Sequence, residues 1–224
     1  HRFEIKQEVI GISGLFIAKK RYGMKIINDN GVEVNKMLVK GIDTVRSNFP
    51  IACGKLLKEV LDDILANVPK EKVDERILNF KSSMSTMPID GLAMPTGVKG
   101  LKKYIERKTK NQKFTKFKSG APIHVKSAVN YNDLLLHFEV SKQYLFIGSG
   151  EKIKWVYLTK NPLGLDSLAY KGYEDPKEIL QYIRDYIDYD KMYEKNLYNK
   201  IMMFYEAMNW SPPVNKQKTL ERFF

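Results

Sequence analysis

The pattern of apolar and polar residues near the start of the chain predicts a small β-sheet. Apolar, β-prone runs over residues 15–18 and 22–27 flank three consecutive cations, which predicts a hairpin with a cationic turn. The second run leads into Asn-Asp-Asn-Gly at 28–31, a sequence typical of tight turns, and then into a β-prone segment at 32–34. A hairpin is stiff, so it would hold its cations at fixed positions. A solvated lysine cluster on an exposed turn is the alternative.

Apolar residues repeat every three or four positions after Pro50, which predicts an amphipathic helix entered at that proline. The members of this apolar stripe are Cys53, Leu56, Leu57, Val60, Leu61, Ile64 and Leu65. Further helices are predicted over residues 71–85, 133–140, 176–186 and 189–208.

Three short runs rich in aromatic and branched residues predict strands over 144–147, 155–158 and 167–170. Proline and glycine punctuate residues 87–100, which predicts a loop, and the mixed segment 2–10 favours a short helix. Together these elements predict an α+β fold, in which a β-hairpin is followed by a mainly helical part with a small β-rich subdomain.

The strong positive charge of the chain indicates a polyanionic binding partner. The 224 residues carry a formal net charge of +12, which favours nucleic acid as a partner, with an anionic membrane second. Hydrophobic residues make up 43% of the chain, so it can bury a core. The first residue is His1 rather than Met, so we expect a piece of a longer protein.

Most of the charge lies in one stretch. Ten Lys or Arg residues fall between residues 99 and 126 against one acid, Glu106. Tyr104, Phe114 and Phe117 are interleaved with these cations, which favours a nucleic-acid surface. A disordered basic loop is the alternative interpretation.

The sequence lacks the usual motifs of metal binding, phosphate binding and catalysis. Three histidines and the single cysteine, Cys53, have no zinc-ligand spacing; one cysteine also excludes an intramolecular disulfide and favours a reducing compartment. No glycine-rich phosphate loop occurs, and no carboxylate pair suits two magnesium ions. No apolar run approaches the roughly 20 residues of a membrane span, and we expect no signal peptide and no membrane partner. These residues predict a binding protein.

The chain nevertheless resembles family-B DNA polymerases. Lys-Lys-Arg-Tyr-Gly at 19–23 looks like the family's palm segment Lys-Lys-x-Tyr, and Lys-Gly-Ile-Asp-Thr-Val-Arg-Ser at 40–47 looks like the motif that leads into its thumb. Pro-Ile-His-Val-Lys at 122–126, Asn-Pro-Leu-Gly at 161–164 and a clamp-type peptide at the end of the sequence match in order. The order and spacing resemble the polymerases of T-even-like phages over essentially the whole chain.

The resemblance implies a C-terminal piece of a replicative DNA-directed DNA polymerase. The palm end would occupy residues 1–43, the thumb 44–210, and a flexible tail with a sliding-clamp peptide 211–224. Minor-groove edges and phosphates of new duplex would be contacted by Lys19, Lys20, Arg21 and Tyr22. Primer-strand phosphates would be held by Lys40, Arg46, Ser47, His124 and Lys126. The clamp would be bound by Gln217, Leu220, Phe223 and Phe224.

The family's metal-binding aspartate motifs do not occur in this sequence, so no catalytic or metal-binding residue is assigned and the chain alone is expected to be inactive. Mg²⁺ is expected in the complete polymerase. Its partners would be primer–template duplex DNA, a sliding clamp and the N-terminal remainder of the enzyme, in the cytoplasm (the host cytoplasm, if a phage encodes it). The alternative is a non-enzymatic nucleic-acid-binding replication accessory module. The basic stretch departs from the family pattern, and the resemblance assigns it no role.

Overall fold

The computed structural model shows two compact units that are interleaved along the chain. The structure describes residues 6–44, 47–106 and 114–214. Of these, unit 1 takes residues 6–44, 52–85 and 196–214, and unit 2 takes the rest. Each unit combines helices with a three-stranded antiparallel sheet, which confirms the predicted α+β class.

The described elements, in chain order, are β1 (Val9–Ala18), β2 (Arg21–Asp29), β3 (Val32–Lys40), α1 (Ile51–Leu65), α2 (Lys70–Ser83), α3 (Ile89–Leu92), β4 (Met94–Gly97), α4 (Ile123–His137), β5 (Lys152–Tyr157), β6 (Ser167–Tyr170), α5 (Lys177–Tyr186), α6 (Tyr189–Tyr193) and α7 (Asn199–Ala207). Short 3-10 turns follow α2 and β4, at Met84–Thr86 and Leu101–Tyr104.

The sheet of unit 1 is a meander in the order β1-β2-β3, so the predicted hairpin is confirmed. Two-residue turns join its strands at Lys19-Lys20 and Asn30-Gly31. Asn30 has φ 52° and Gly31 φ 88°, the left-handed conformations that a two-residue turn of this kind requires. The Asn28 side chain accepts the Gly31 N–H at 2.9 Å and closes the turn.

The helix predicted over residues 2–10 is wrong in its described part. Residues 6–8 have no regular structure, and β1 begins at Val9, which pairs with Asp29 of β2. A mixed segment of this length suits either a helix or a strand, and here pairing with β2 satisfies its backbone groups.

The helices of unit 1 follow their apolar spacing. The predicted stripe of α1 is buried in full, and Val73 and Ile77 of α2 are 0% exposed. Arg76 of α2 donates to Asp63 of α1 at 2.6 Å, and the Tyr205 hydroxyl of α7 donates to Asp74 of α2 at 2.6 Å. These polar contacts tie the three helices together along their rims.

Unit 2 is built around α4, which packs on β5 and β6. Asn130, 3% exposed, donates its amide to the Ser167 carbonyl at 2.8 Å, so a buried polar side chain fixes the helix to the sheet edge. β5 pairs with β4 and β6. The strand predicted over 167–170 is confirmed as β6, and the one predicted over 155–158 is confirmed as β5, which begins three residues earlier and ends one residue earlier.

Two other predictions for unit 2 are wrong. Residues 144–147 form no strand, because the Asn132 side chain bonds both backbone groups of Ile147, at 2.7 and 3.0 Å, where a neighbouring strand would otherwise do so. The predicted loop at 87–100 contains α3 and β4. Proline is tolerated within β4 because this is an edge strand, paired only with β5.

Helix boundaries also differ from the predictions. α4 begins at Ile123, ten residues before the predicted 133, because the chain enters it at Pro122, a residue suited to a helix start. The closing helix predicted over 189–208 is interrupted by a π-helical turn, Glu194–Tyr198, between α6 and α7.

Candidate nucleic-acid interface

Five predicted DNA contacts meet at one end of the unit 1 sheet. Lys19 and Lys20 form the turn between β1 and β2, Arg21 and Tyr22 begin β2, and Lys40 ends β3 directly opposite Tyr22. The four cations are exposed, and Tyr22 is half-buried between them. We call these five residues the cationic edge. Its positions are set by the strand pairing, so the charges are held on a rigid frame.

Phe16 extends the cationic edge by an aromatic ring that the sequence analysis missed. It lies opposite Tyr22 on β1, with the ring centroids 5.7 Å apart, and 65% of its surface is exposed. Its neighbour Leu15 is only 5% exposed. Adjacent strand residues point to opposite faces, so one of these two apolar residues had to be exposed, and the position of α1 decides which.

Helix α1 supports the opposite face of the sheet. A Cβ added to Gly23 would lie 2.7 Å from Cδ2 of Leu61, which is itself 0% exposed. Gly23 thus allows the sheet to lie directly on α1. Phe16, Tyr22 and Lys40 share a cross-strand row and point to the other face.

Gly41 joins the two sequence motifs of the cationic edge. It has φ +66°, and a Cβ at this position would overlap the carbonyl oxygen of Lys20. Only glycine meets both requirements without strain. The Lys-Gly-Ile-Asp motif therefore carries its glycine where the chain leaving β3 crosses the turn between Lys19 and Arg21.

An ion pair fixes the chain just beyond Gly41. Asp43 is paired with Lys200 of α7, and the guanidinium of Arg21 lies 3.6 Å from the sulfur of Met203 on the same helix. These four side chains line a cavity of about 70 Å³. Contacts of α7 thus hold both the start of β2 and the residues that follow β3.

His124 and Lys126 lie in the first turn of α4 and belong to unit 2. The Lys126 ammonium is 3.5 Å from Asp166 and 6.0 Å from the centre of the Phe117 ring. Burial lowers the pKa of His124 from its usual value of 6.5, so this imidazole is neutral at pH 7. It would approach a phosphate as a neutral N–H donor.

The remaining predicted residues are divided between the described and undescribed parts of the chain. Ser47 is exposed and belongs to unit 2. Arg46 lies outside the described residues, as do the predicted clamp contacts Gln217, Leu220, Phe223 and Phe224. The cationic edge is thus the largest group of predicted contacts that the structure brings together.

Metal chemistry has no site in the described part of the chain. Over residues 6–44, 47–106 and 114–214, no group of three or more His, Cys, Asp or Glu side chains could hold a metal ion. Among the same described residues, no helix has the length and apolar character to cross a bilayer.

Comparison with known protein families assigns the chain to one of them. The family model of DNA polymerase family B matches residues 1–208, nearly the whole sequence. The chain therefore belongs to DNA polymerase family B, whose complete members are DNA-directed DNA polymerases. The predicted resemblance is confirmed at this level. No curated protein matches the chain.

Proposed function

We propose that this chain is the C-terminal part of a replicative polymerase resembling those of T-even-like phages. It would grip primer–template duplex and attach to a sliding clamp in the cytoplasm, while the N-terminal remainder supplies the catalytic aspartates and their Mg²⁺. In this proposal residues 1–43 end the palm, 44–210 form the thumb and 211–224 carry the clamp peptide.

The observation that supports this proposal most is the convergence of two separate motifs at the cationic edge. Tyr22 of one motif pairs with Lys40 of the other, and Gly41 contacts the Lys20 carbonyl. Fixed cations beside aromatic rings suit a ligand that presents phosphates and sugars at regular distances. The contacts expected here go to backbone and minor groove, so we expect weak preference for base sequence.

A binding titration tests the proposal. Fluorescence anisotropy of the full chain is measured with a primer–template junction, a blunt duplex and a single strand, at several salt concentrations. We expect salt-sensitive binding that prefers the junction or the duplex, because each neutralised phosphate releases counterions. A clear preference for single strands would overturn the polymerase proposal in favour of the accessory module.

A matched pair of variants assigns the binding to the cationic edge. In Lys19→Ala/Lys40→Ala we expect the log–log salt slope to become less negative by about 1.8, at about 0.9 per lost phosphate contact. The control Lys58→Ala/Lys72→Ala removes two exposed lysines from α1 and α2 of the same unit. Equal slopes in the two variants would contradict a DNA-binding role for the edge.

The clamp contact is tested separately by deleting residues 217–224. We expect loss of binding to a sliding clamp with unchanged affinity for DNA, since the peptide pattern Gln-x-x-Leu-x-x-Phe-Phe lies apart from the cationic edge in sequence. Loss of both activities would mean that this segment supports the fold instead.

A further inference from the structure

Residues 102–106 and 114–118, which we call the basic arm, carry exposed cations of unit 2 to which the proposed function assigns no individual contact. Its described cations are Lys102, Lys103, Lys116 and Lys118, and all four are exposed. Residues 107–113 lie outside the described part of the chain.

The base of the basic arm is a short antiparallel pair. Ile105 and Phe117 form a β-bridge, Glu106 N–H donates to the Lys116 carbonyl, and Lys118 N–H donates to the Tyr104 carbonyl, each at 2.9 Å. The two ends of the arm therefore hold each other in register. This geometry contradicts the alternative of a disordered loop for the described residues.

A buried carboxylate anchors the arm to α4. Asp133, 4% exposed, accepts the Thr115 backbone N–H at 2.6 Å and the Thr115 hydroxyl at 3.1 Å. The adjacent Phe114 ring lies 5.6 Å from the His137 ring on the same helix. Charge-assisted hydrogen bonds of this kind are among the stronger ones in proteins, so the second strand of the arm is fixed beside α4.

The aromatic residues of the arm are used for packing. Phe117 lies beneath the Lys126 ammonium and opposite Ile105, and Phe114 packs on His137. Because strand residues alternate in direction, Lys116 and Lys118 point away from the face of Phe117. The arm thus presents ammonium groups to solvent and keeps its phenyl rings against the body of the unit.

We infer that the basic arm is a second DNA-binding surface, one that contacts phosphates and does not stack on bases. Lys116 and Lys118 flank the bridge residue Phe117 and are both exposed, so their ammonium groups are available to phosphates on the same side of the arm. The match to DNA polymerase family B favours nucleic acid over an acidic protein as the partner of these cations. The inference rests on the proposed function for its choice of DNA.

The test compares two double variants of the full chain. Lys116→Ala/Lys118→Ala removes two arm charges, and the control Lys142→Ala/Lys160→Ala removes two exposed lysines elsewhere in unit 2. We expect the arm variant to make the salt slope less negative for both nucleic acids, by about 1.8 for duplex and about 1.4 for single strand, because both present phosphates. The control should keep the slope of the unaltered chain.

Two results would overturn the inference: an arm variant with the slope of the control, or a loss found for single strands alone, which would indicate base stacking. The proposed function fails on a different observation, the preference of the unaltered chain among junction, duplex and single strand. If the Lys19→Ala/Lys40→Ala variant loses affinity and the arm variant does not, the inference fails and the proposal stands. If the chain prefers single strands but the arm variant still changes the slope, the proposed function fails and the inference stands.

Discussion

The cationic edge of unit 1 and the basic arm of unit 2 are both rich in lysine and aromatic residues but present different surfaces. Both combine lysines with nearby aromatic residues. At the edge, Phe16 is 65% exposed and shares a cross-strand row with Tyr22 and Lys40. In the arm, Phe114 and Phe117 are half-buried and pack toward α4, whereas the four described lysines are exposed.

The difference follows from what covers each strand face. The α1 side of the unit 1 sheet takes Leu15, so the ring of Phe16 points the other way. The arm has α4 on one side, and partly covering its two phenyl rings there stabilises the unit by about 1 kcal/mol for each ring. Interleaved cations and aromatics in a sequence therefore indicate nucleic-acid binding without telling whether bases or phosphates are contacted.

The largest effect should come from the junction that forms the cationic edge. Gly41→Ala forces a side chain into a left-handed residue against the Lys20 carbonyl, so we expect about 3 kcal/mol lower unfolding free energy. Gly31→Ala is the control, since Gly31 has φ +88° but nothing within 4 Å of an added Cβ, and should cost about 1 kcal/mol. Urea denaturation measures both. Equal losses would mean that the Lys20 contact is unimportant.

The corresponding test of the basic arm removes its buried carboxylate, Asp133, and measures stability and the salt slope of DNA binding. Asp133→Ala leaves the Thr115 N–H without its acceptor, and we expect about 2 kcal/mol lower stability of unit 2. Thr115→Ala removes only the hydroxyl bond and should cost about 1 kcal/mol. If the arm needs this anchor, Asp133→Ala should also make the salt slope less negative although every lysine remains. An unchanged slope would show that the lysines act without the anchor.

Removing the exposed ring of Phe16 should have a smaller effect, and only on DNA affinity. Phe16→Ala should weaken primer–template affinity by about 1 kcal/mol, roughly fivefold, through loss of an aromatic contact. Its stability should change little, because most of the ring is already in water. Phe146→Ala, at a ring 46% exposed in unit 2, serves as the control and should leave affinity unchanged. Equal affinity for both variants would remove the contrast between edge and arm.

The smallest effect concerns pH. Burial lowers the pKa of His124, so the unfolded chain binds a proton more readily and the free protein loses stability as pH falls below about 6.5. A bound phosphate would raise this pKa, and binding would then take up a proton. We expect affinity for DNA to rise as pH falls from 7.5 to 6. His124→Gln should abolish the rise, and an identical rise in that variant would exclude His124 as a phosphate contact.

Local patterns in the sequence were sufficient for much of unit 1. The apolar stripe after Pro50 predicted α1, and Asn30-Gly31 predicted the turn between β2 and β3. These elements depend on a periodicity or a backbone conformation that neighbouring residues set among themselves. The order of the motifs likewise indicated the polymerase family, which the family match over residues 1–208 confirms.

Long-range contacts decided the rest. The segment at 144–147 has the composition of a strand, but Asn132 takes both backbone groups of Ile147. The residues around Gly41 in the sequence do not indicate that it lies against the carbonyl oxygen of Lys20. The direction of the arm's rings depends on α4, and that of Phe16 on α1. The sequence alone determined which residues are charged, aromatic or periodic. The tertiary structure determined which of them reach solvent, because burial and hydrogen bonding depend on the partner that each face meets.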